Sequence, residues 1–318
     1  MALSLLAAAT GWAASPEDAA DPAKVDADYA LQGEYAGELA SEAWGVQIIA
    51  LGSGKFDTVG YAGGLPGAGW DGNRASLVRG TGELKDGVFT LSAADGRFAG
   101  TVKDGLISVT EAGSAEIGKL KRIVRKSPTE GAEPPAGAVV LFDGKNVDAW
   151  RDGARMTEEG LLNGGATSRQ EFQNFRLHVE FRTPYKPAAR GQDRGNSGVY
   201  SQGRYEVQVL DSFGLKGENN EAGGIYSVAA PSLNMCLPPL QWQTYDLDFT
   251  AATFDAAGQK TQDATLTVRY NGVVVQEKTK LPHATTAAPV AEGPAPGPLY
   301  LQEHGNPVRF RNVWIIPQ

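Results

Sequence analysis

The sequence predicts an all-β protein whose short antiparallel strands pack as a sandwich or jelly roll. Residues Phe175–Arg182 alternate strictly between apolar and polar side chains, as expected for a strand with one buried face. Residues Thr265–Tyr270 run through Asn271-Gly272 into Val273–Val275, and Asn-Gly is the turn that two-residue hairpins prefer. No long segment carries an apolar stripe at the helical period. Many short strands between frequent turns are typical of sandwiches and jelly rolls.

The first half of the chain shows the same pattern on a smaller scale. Residues Trp44–Leu51, Val88–Leu91 and Leu106–Val109 are predicted strands. The last two each follow the same tripeptide, Lys85-Asp86-Gly87 and Lys103-Asp104-Gly105, and Asp-Gly between β-prone runs is a strong hairpin signal. We therefore predict a small antiparallel β-domain. No catalytic residue types cluster in it, so a structural or accessory role is expected.

Composition divides the chain into four segments. Residues 127–137 are rich in Pro, Gly and Glu, which predicts a linker between the small β-domain, residues 25–126, and a larger domain, residues 138–318. Residues 1–24 are a predicted leader. Its apolar run Met1–Ser15 ends in small residues, as secretory signal peptides do; the alternative is a disordered alanine-rich tail. The signal peptide predicts a secreted or periplasmic protein.

Composition and charge exclude several functional classes. A net charge of −8 argues against a nucleic-acid partner, because phosphate backbones are bound by basic surfaces. No later stretch approaches the ~20 apolar residues that a membrane-spanning helix needs. Cys236 is the only cysteine, which excludes an internal disulfide and a cysteine-rich zinc site.

Motifs in the second half together resemble one known family. They are Leu141–Trp150, Gly195–Tyr200, Tyr205–Asp211, Gly223–Tyr226, Gln241–Tyr245, and Leu301–Gly305 with Val308–Val313. In order and spacing they are similar to the 3-keto-disaccharide hydrolase family over residues 138–318. The resemblance implies a jelly-roll sandwich of the concanavalin A type that cleaves 3-keto-glycosides. The chain departs from the family pattern at Gly224, Gln241 and Gln243, which affects loop details more than the fold.

The strand predicted over Tyr205–Asp211 carries the most informative acidic residue. Glu206, Gln208 and Leu210 share one face of the strand, and the apolar face opposite them is expected to point into the core. Retaining glycosidases need two carboxyl groups ~5–5.5 Å apart. Only one of these three positions is acidic, so this strand alone cannot supply such a pair.

Cleavage of a 3-keto-glycoside removes the need for two carboxylates. The C3 ketone acidifies the C2 hydrogen, so one base can form an enolate that expels the C1 substituent, and water then adds to the unsaturated sugar. Glu206 is the candidate base or a metal ligand, Arg309 or a bound cation is the candidate stabiliser of the enolate, and His304 is a candidate acid/base or metal ligand. The alternative for Glu206 is a structural hydrogen bond to Arg309 or Arg204.

Further residues are candidates for binding the substrate or a metal ion. The candidates for sugar binding are Asn196, Gln208, Asp211, Tyr226 and Trp242. Amides and carboxylates would bind sugar hydroxyls, and aromatic rings would stack on the apolar faces of the sugar. Turn formation is the alternative for Asn196 and Asp211, and core packing is the alternative for the aromatics. A divalent cation held by Glu206, Asp211 and His304 is an option that the spacing does not require.

The remaining expectations concern His178 and the protein's partners. His178 shares a strand face with Arg176 and Glu180, which predicts a solvated or cleft-lining face. The expected partners are a carbohydrate substrate and an upstream oxidoreductase that introduces the 3-keto group. Two other functional classes stay open, namely a carbohydrate-binding protein without catalysis that uses the same cleft, and a structural surface protein.

Overall fold

The computed structural model describes residues 18–112 and 115–318, and nearly all of its regular structure is β. The predicted signal peptide, Met1–Ser15, lies outside the described residues. The only α-helix in the described ranges is α1 (Ala27–Leu31), and short 3₁₀ turns cover Asp18–Ala20, Arg74–Ser76 and Gly191–Asp193. No helix of this part of the chain is both long enough and apolar enough to cross a membrane. The all-β prediction is therefore confirmed.

Eight antiparallel strands near the N-terminus close into a barrel. They are β1 (Gly33–Leu39), β2 (Glu42–Gly52), β3 (Lys55–Ala62), β4 (Val78–Lys85), β5 (Val88–Ala93), β6 (Phe98–Lys103), β7 (Leu106–Glu111) and β8 (Glu116–Ile123). Each strand pairs with the next, and β8 returns to pair with β1. Closure leaves no free sheet edge, which makes this small domain independent of a partner strand.

The two repeated Asp-Gly signals form the predicted hairpin turns. Asp86 and Gly87 join β4 to β5, and Asp104 and Gly105 join β6 to β7. All four residues have positive φ, from 50° to 77°, which is the backbone of a type I′ turn. The turn that joins the later strands at Asn271-Gly272 has the same form, with φ values of 48° and 81°.

The second half is a sandwich of two antiparallel sheets. The seven-stranded sheet contains β9 (Val139–Phe142), β10 (Leu162–Asn163), β12 (Phe175–Arg182), β15 (Gln243–Thr250), β18 (Ala264–Tyr270), β19 (Val273–Leu281) and β21 (Arg309–Pro317). The four-stranded sheet contains β11 (Ala166–Phe172), β13 (Ser197–Ser201), β14 (Tyr205–Val209) and β20 (Gly297–Leu301), and a small hairpin contains β16 (Thr253–Phe254) and β17 (Lys260–Gln262). Leu177 and Val179 of β12 and Val207 of β14 meet in the core between the two sheets, as their alternation predicts.

The barrel packs against the sandwich through the outer face of two strands. Ile49 of β2, Val59 and Tyr61 of β3, and the following Leu65 belong to the same apolar cluster as the sandwich core. The inward-facing residues of the barrel, such as Ile48, form a separate cluster. The two halves are thus joined by continuous apolar packing, whose burial stabilises the assembly by roughly 25 cal/mol for each Å² removed from water.

The segment predicted as a linker lies along the outer face of the seven-stranded sheet. Thr129 Oγ1 donates to Asp246 Oδ2 at 2.7 Å, and Gly131 N donates to Glu180 Oε1 at 2.5 Å. Beneath it, His178 and Glu180 are fully buried. The prediction that His178 lies on a solvated or cleft-lining face is therefore wrong, because residues 127–137 cover that face.

Candidate active site

Glu206 lies in the middle of β14 and points away from the sandwich core. Its strand neighbours Tyr205 and Val207 point into the core, so the alternation predicted from the sequence is observed. The carboxylate does not stand in open solvent, since Glu206 is only 3% exposed. The connection over residues 282–296 contributes to its cover, because Glu206 N donates to Thr285 Oγ1 at 3.0 Å.

A glycine on the neighbouring strand makes room for this carboxylate. Gly198 of β13 lies beside β14, and a Cβ built on it would come within 2.2 Å of Glu206 Oε1. A side chain at this position would have to displace the carboxylate or the strand. The glycine of the Gly195–Tyr200 motif thus has a steric function at the site.

This arrangement predicts the effect of Gly198→Ala. We expect the variant to fold but to lose most of the predicted activity toward 3-keto-glycosides, because the added methyl group displaces Glu206 from its hydrogen bonds. Gly293→Ala is the matched control, since Gly293 has nothing within 4 Å of its Cβ position and an ordinary φ. The measurement is kcat/KM of both variants beside their thermal melting curves. Full activity of Gly198→Ala would show that the observed carboxylate position is not needed.

Two donors hold the two oxygens of Glu206. Tyr200 Oη donates to Glu206 Oε2 at 2.8 Å, and Gln302 Nε2 donates to Tyr200 Oη at 3.0 Å. With its nitrogen assigned toward β13, the Gln208 amide donates to Glu206 Oε1 at 3.0 Å and to Ser197 O at 2.8 Å. We prefer this assignment because the opposite one sets the amide oxygen against two acceptors. The carboxylate is therefore fixed in one orientation.

Burial raises the pKa of Glu206 to about 8, and the Tyr200 hydrogen bond lowers it only in part. The hydrogen bond from Gln208 also favours the charged form, and among the described residues no second carboxylate raises the pKa of Glu206. A neighbouring carboxylate at the separation used by retaining glycosidases would raise the pKa through charge repulsion. Glu206 is therefore a single buried carboxyl group whose pKa lies in the range where general acid/base catalysis is efficient.

Three predicted sugar-binding residues lie around Glu206. Gln208 contacts it directly, and Asn196 lies next to Gln208. The partly exposed Tyr226 lies beside it, because Tyr226 N donates to Glu206 O at 3.2 Å. On the other side, the ring of Tyr300 lies 5.3 Å from that of Tyr200. Partly exposed aromatic rings thus flank the carboxylate.

Asp211 is a structural residue in this fold. It is fully buried, and its carboxylate accepts from Arg194 Nε at 2.7 Å and from Phe213 N at 3.3 Å. Of the two roles that the sequence left open, these contacts correspond to organisation of the turn after β14. Because Asp211 is fully buried among the described residues, its carboxylate is not positioned to contact a sugar.

Arg309 and Trp242 lie on the other side of the sandwich. Phe310 of β21 points into the shared core, so Arg309 before it points out from the seven-stranded sheet, whereas Glu206 points out from the four-stranded sheet. Arg309 lines a surface cavity of about 550 Å³ together with Arg182. Trp242 packs against Arg182 on the same side, with 5.1 Å between the guanidinium carbon and the ring centroid. The convergence of Arg309 with Glu206, which the sequence predicted, does not occur because the two belong to different sheets.

The predicted histidine and the predicted metal ligands do not assemble around Glu206. His304 is exposed in the connection between β20 and β21, where its carbonyl accepts from Asn306 Nδ2 at 3.1 Å. Across residues 18–112 and 115–318, no three His, Cys, Asp or Glu side chains are grouped so that they could hold a metal ion. Glu206, Asp211 and His304 therefore do not form the metal site that the sequence offered as an option.

Sequence reasoning missed two side chains that orient Glu206, namely Tyr200, which donates to it, and Gln302, which donates to Tyr200. Both lie within the quoted motifs. The available signal was the strand alternation, because Gly198 and Tyr200 occupy the outward positions of β13 and are paired with Gln208 and Glu206.

The protein is a β-sandwich whose smaller sheet carries one buried carboxylate, that of Glu206, held in position by hydrogen bonds from its neighbours. Residues 137–316 match the family described as a 3-keto-alpha-glucoside-1,2-lyase-like domain. This match covers more than half of the chain, and the chain belongs to this family. Membership in this family supports the conclusion that the protein acts on carbohydrate.

Two solved structures are similar to more than half of the chain. One is a "putative glycosyl hydrolase" from Parabacteroides distasonis ATCC 8503, with 34% sequence identity and a TM-score of 0.53, covering 58% of this chain and 85% of its own. The other, of the same description and organism, has 20% identity and a TM-score of 0.42, covering 57% of this chain and 94% of its own. No curated protein matches the chain. The first structure supports the sandwich fold and a relation to carbohydrate-cleaving proteins.

Proposed function

We propose that the protein cleaves 3-keto-glycosides and that Glu206 is the base that removes the C2 proton. The observation that carries the proposal is a single oriented carboxylate whose pKa burial raises to about 8. Membership in a family described by 1,2-lyase chemistry supports the same reaction class. A lone base fits elimination next to a ketone, whereas direct displacement at C1 by a retaining mechanism would require a second carboxylate nearby.

The proposed reaction proceeds by elimination and then hydration. Ionised Glu206 takes the C2 proton, and the electron pair of that C–H bond forms an enolate with the C3 ketone. The enolate collapses, the bond from C1 to the leaving oxygen breaks, and that oxygen is protonated as it departs. Addition of water across the resulting double bond returns a proton to C2 and completes a net hydrolysis. Each step needs acid/base chemistry alone.

The neighbouring residues have distinct roles in this proposal. Tyr200 and Gln302 are positioning residues, since they orient Glu206 through a chain of hydrogen bonds. Tyr226 and Tyr300 are the aromatic candidates for contact with the sugar, and their hydroxyl groups are the candidates to stabilise the enolate. They replace Arg309 in that role, because Arg309 points out from the other sheet.

A second candidate function is carbohydrate binding without turnover. The observation that favours it is the low exposure of Glu206, at 3%, which requires that the substrate reach the carboxylate between the flanking tyrosines. The proposed enzyme and the binding protein differ in one outcome, namely the release of product.

A product assay on matched sugars tests the proposal. The purified protein is incubated with a 3-keto-disaccharide and with the same disaccharide before oxidation, and product release is followed by chromatography. We expect cleavage of the keto sugar alone, because only its C2 hydrogen is acidified. Binding of the keto sugar without cleavage would favour the second function, and equal cleavage of both sugars would contradict the elimination mechanism.

We also propose that the protein acts outside the cytoplasm, together with an oxidoreductase that supplies the 3-keto group. The sequence of Met1–Ser15 supports export, and the ketone must be introduced by an oxidation that this site does not perform. Mass spectrometry of the N-terminus in the extracytoplasmic fraction checks the export. An intact Met1 found only in the cytoplasm would contradict it.

A further inference from the structure

One connection of the barrel differs in length from all others. The strands are joined by two to four residues everywhere except between β3 and β4, where the chain runs from residue 63 to residue 77. Long connections in an otherwise tight fold are commonly functional, since they cost chain entropy that short turns avoid. We call residues 63–77 the barrel loop.

Part of the barrel loop docks the barrel on the sandwich. Leu65 belongs to the apolar core of the sandwich, and a Cβ at Gly67 would lie 2.7 Å from the Met235 side chain. The loop also borders a cleft of about 320 Å³ between the two domains, and Arg74 of the loop donates to Gly217 O of the sandwich at 3.3 Å. This volume is at the lower end of the range of small-molecule sites, which often occur at domain interfaces.

The cleft combines apolar surface with positive charge. Trp70 from the barrel loop and Leu215 from the sandwich line it, and Leu215 is 40% exposed although it is a large apolar side chain. The ring of Trp70 is held edge-to-face against Tyr61, with 5.1 Å between ring centroids. A fixed aromatic ring beside apolar surface is suited to the C–H face of a sugar.

The charged residues of the cleft are predominantly basic. Arg74 and Arg79 come from the barrel side, and Lys216 and the single acidic residue Glu218 come from the sandwich side. Three cations face one carboxylate in a chain whose net charge is −8. This local excess of positive charge in an acidic protein favours an anionic ligand, and guanidinium groups bind carboxylates with good geometry.

We propose that this cleft is a binding site for an acidic saccharide. Arg74, Arg79 and Lys216 bind the carboxylate of the sugar, Trp70 stacks on its ring, and Glu218 accepts hydrogen bonds from its hydroxyl groups. Half of the site comes from the barrel, which lies outside the family match over residues 137–316. The site is thus a property that the barrel adds to the family domain.

The wall of the cleft continues toward Glu206. Lys216 and Glu218 are followed by Asn220, whose carbonyl accepts from Gln192 Nε2 at 2.9 Å and lies near Gln208. Gly217 N donates to Glu221 Oε2 at 2.6 Å, which fixes the turn between the two ends. Residues 216–221 therefore separate the proposed saccharide site from the Glu206 carboxylate. The cleft is an accessory site, and binding of a saccharide there does not depend on Glu206.

Calorimetric titration with tetragalacturonate tests the proposal. Its methyl-esterified tetramer is the matched ligand, because it has the same sugar rings without the charges. We expect binding of the acid, weakened by added salt, and binding of the ester that is weaker by about tenfold or more, which corresponds to the loss of a charged hydrogen bond. Equal binding of both ligands, or no binding of the acid, would overturn the proposal.

Matched variants locate the binding. Arg79→Gln and Lys216→Gln should each weaken binding of the acid by about tenfold, the scale of one hydrogen bond to a charged group. Arg97→Gln is the control, because Arg97 is an exposed arginine of the same barrel that does not line the cleft. All three variants should cleave a 3-keto-disaccharide like the parent protein, which separates this proposal from the proposed function. An equal loss of binding in Arg97→Gln would assign the effect to net charge and overturn the site.

Discussion

Replacing Glu206 by Gln is expected to lower turnover of a 3-keto-glycoside by about 10³-fold or more, the scale of a removed general base. Gln has the size of Glu and resembles its protonated form, with one acceptor oxygen instead of two, so the fold is retained while one of the hydrogen bonds from Tyr200 and Gln208 is lost. Glu171→Gln is the matched control on the same sheet, since Glu171 is an exposed carboxylate paired with Arg151. The measurement is kcat/KM for both variants. A Glu206→Gln protein with parental activity would remove Glu206 from the reaction.

The same substitution is expected to stabilise the protein at alkaline pH. The pKa of Glu206 is raised from 4.5 to about 8 in the folded state, so the folded carboxyl group retains its proton more strongly than the unfolded one does. The parent protein therefore loses stability as the pH rises from about 4.5 through about 8, and Glu206→Gln does not. Above pH 8 we expect the variant to be more stable by on the order of 5 kcal/mol. Melting curves at pH 4 and pH 9 check this difference, which should be absent at pH 4.

Replacing Glu180 by Gln is expected to destabilise the protein by about 3–5 kcal/mol, because it leaves buried charged partners uncompensated. Glu180 Oε2 accepts from Arg311 Nε at 2.7 Å, and Glu180 Oε1 accepts from Gly131 N and from Asn312 Nδ2. An amide nitrogen in place of one oxygen would face at least one of these donors. The segment over residues 127–137 should detach first, since Gly131 is one of its attachments.

Two measurements check the prediction for Glu180. Thermal or denaturant unfolding gives the loss of stability, and the rate of tryptic cleavage near Arg125 and Lys126 reports detachment of the covering segment. Glu171→Gln is again the control and should cost no more than about 1 kcal/mol, the scale of an exposed ion pair. A Glu180→Gln protein that is as stable and as resistant to trypsin as the control would contradict the structural role.

The buried hydrogen-bonded pair of His178 and Glu180 makes the free energy of unfolding depend on pH. Burial alone would raise the pKa of Glu180, but hydrogen bonds from His178, Asn312, Gly131 and Arg311 lower it to about 2. The stability that Glu180 contributes is therefore complete above about pH 4.5 and is lost as the pH falls toward about 2.

Burial lowers the pKa of His178, yet the hydrogen bonds to Asp246 and Glu180 outweigh burial and raise it. The contribution of His178 is thus complete below pH 6.5 and is lost as the pH rises through its folded pKa.

The sequence predicted features that depend on local chemistry. The Asp-Gly and Asn-Gly turns were predictable because positive φ at two successive residues favours these residue types. The outward position of Glu206 was predictable because strand alternation fixes it relative to the apolar residues of β14. Family motifs located the candidate site within the correct domain.

Features that depend on tertiary arrangement were not predictable in the same way. Arg309 and Trp242 lie in two of the family motifs, but only the sheet topology shows that their side of the sandwich is opposite to that of Glu206. The burial of His178 depends on residues 127–137, whose composition indicates a linker rather than a covering segment. The cleft lined by Trp70 depends on how the barrel docks on the sandwich, which no local pattern encodes.

The central claim is that Glu206 removes the C2 hydrogen of a 3-keto-glycoside. Single-turnover rates with substrate carrying hydrogen or deuterium at C2 test it most directly, because they follow the chemical step without product release. The account predicts that the deuterated substrate reacts several-fold more slowly in the parent protein and that Glu206→Gln reacts with neither. Equal single-turnover rates for the two substrates in the parent protein would contradict it.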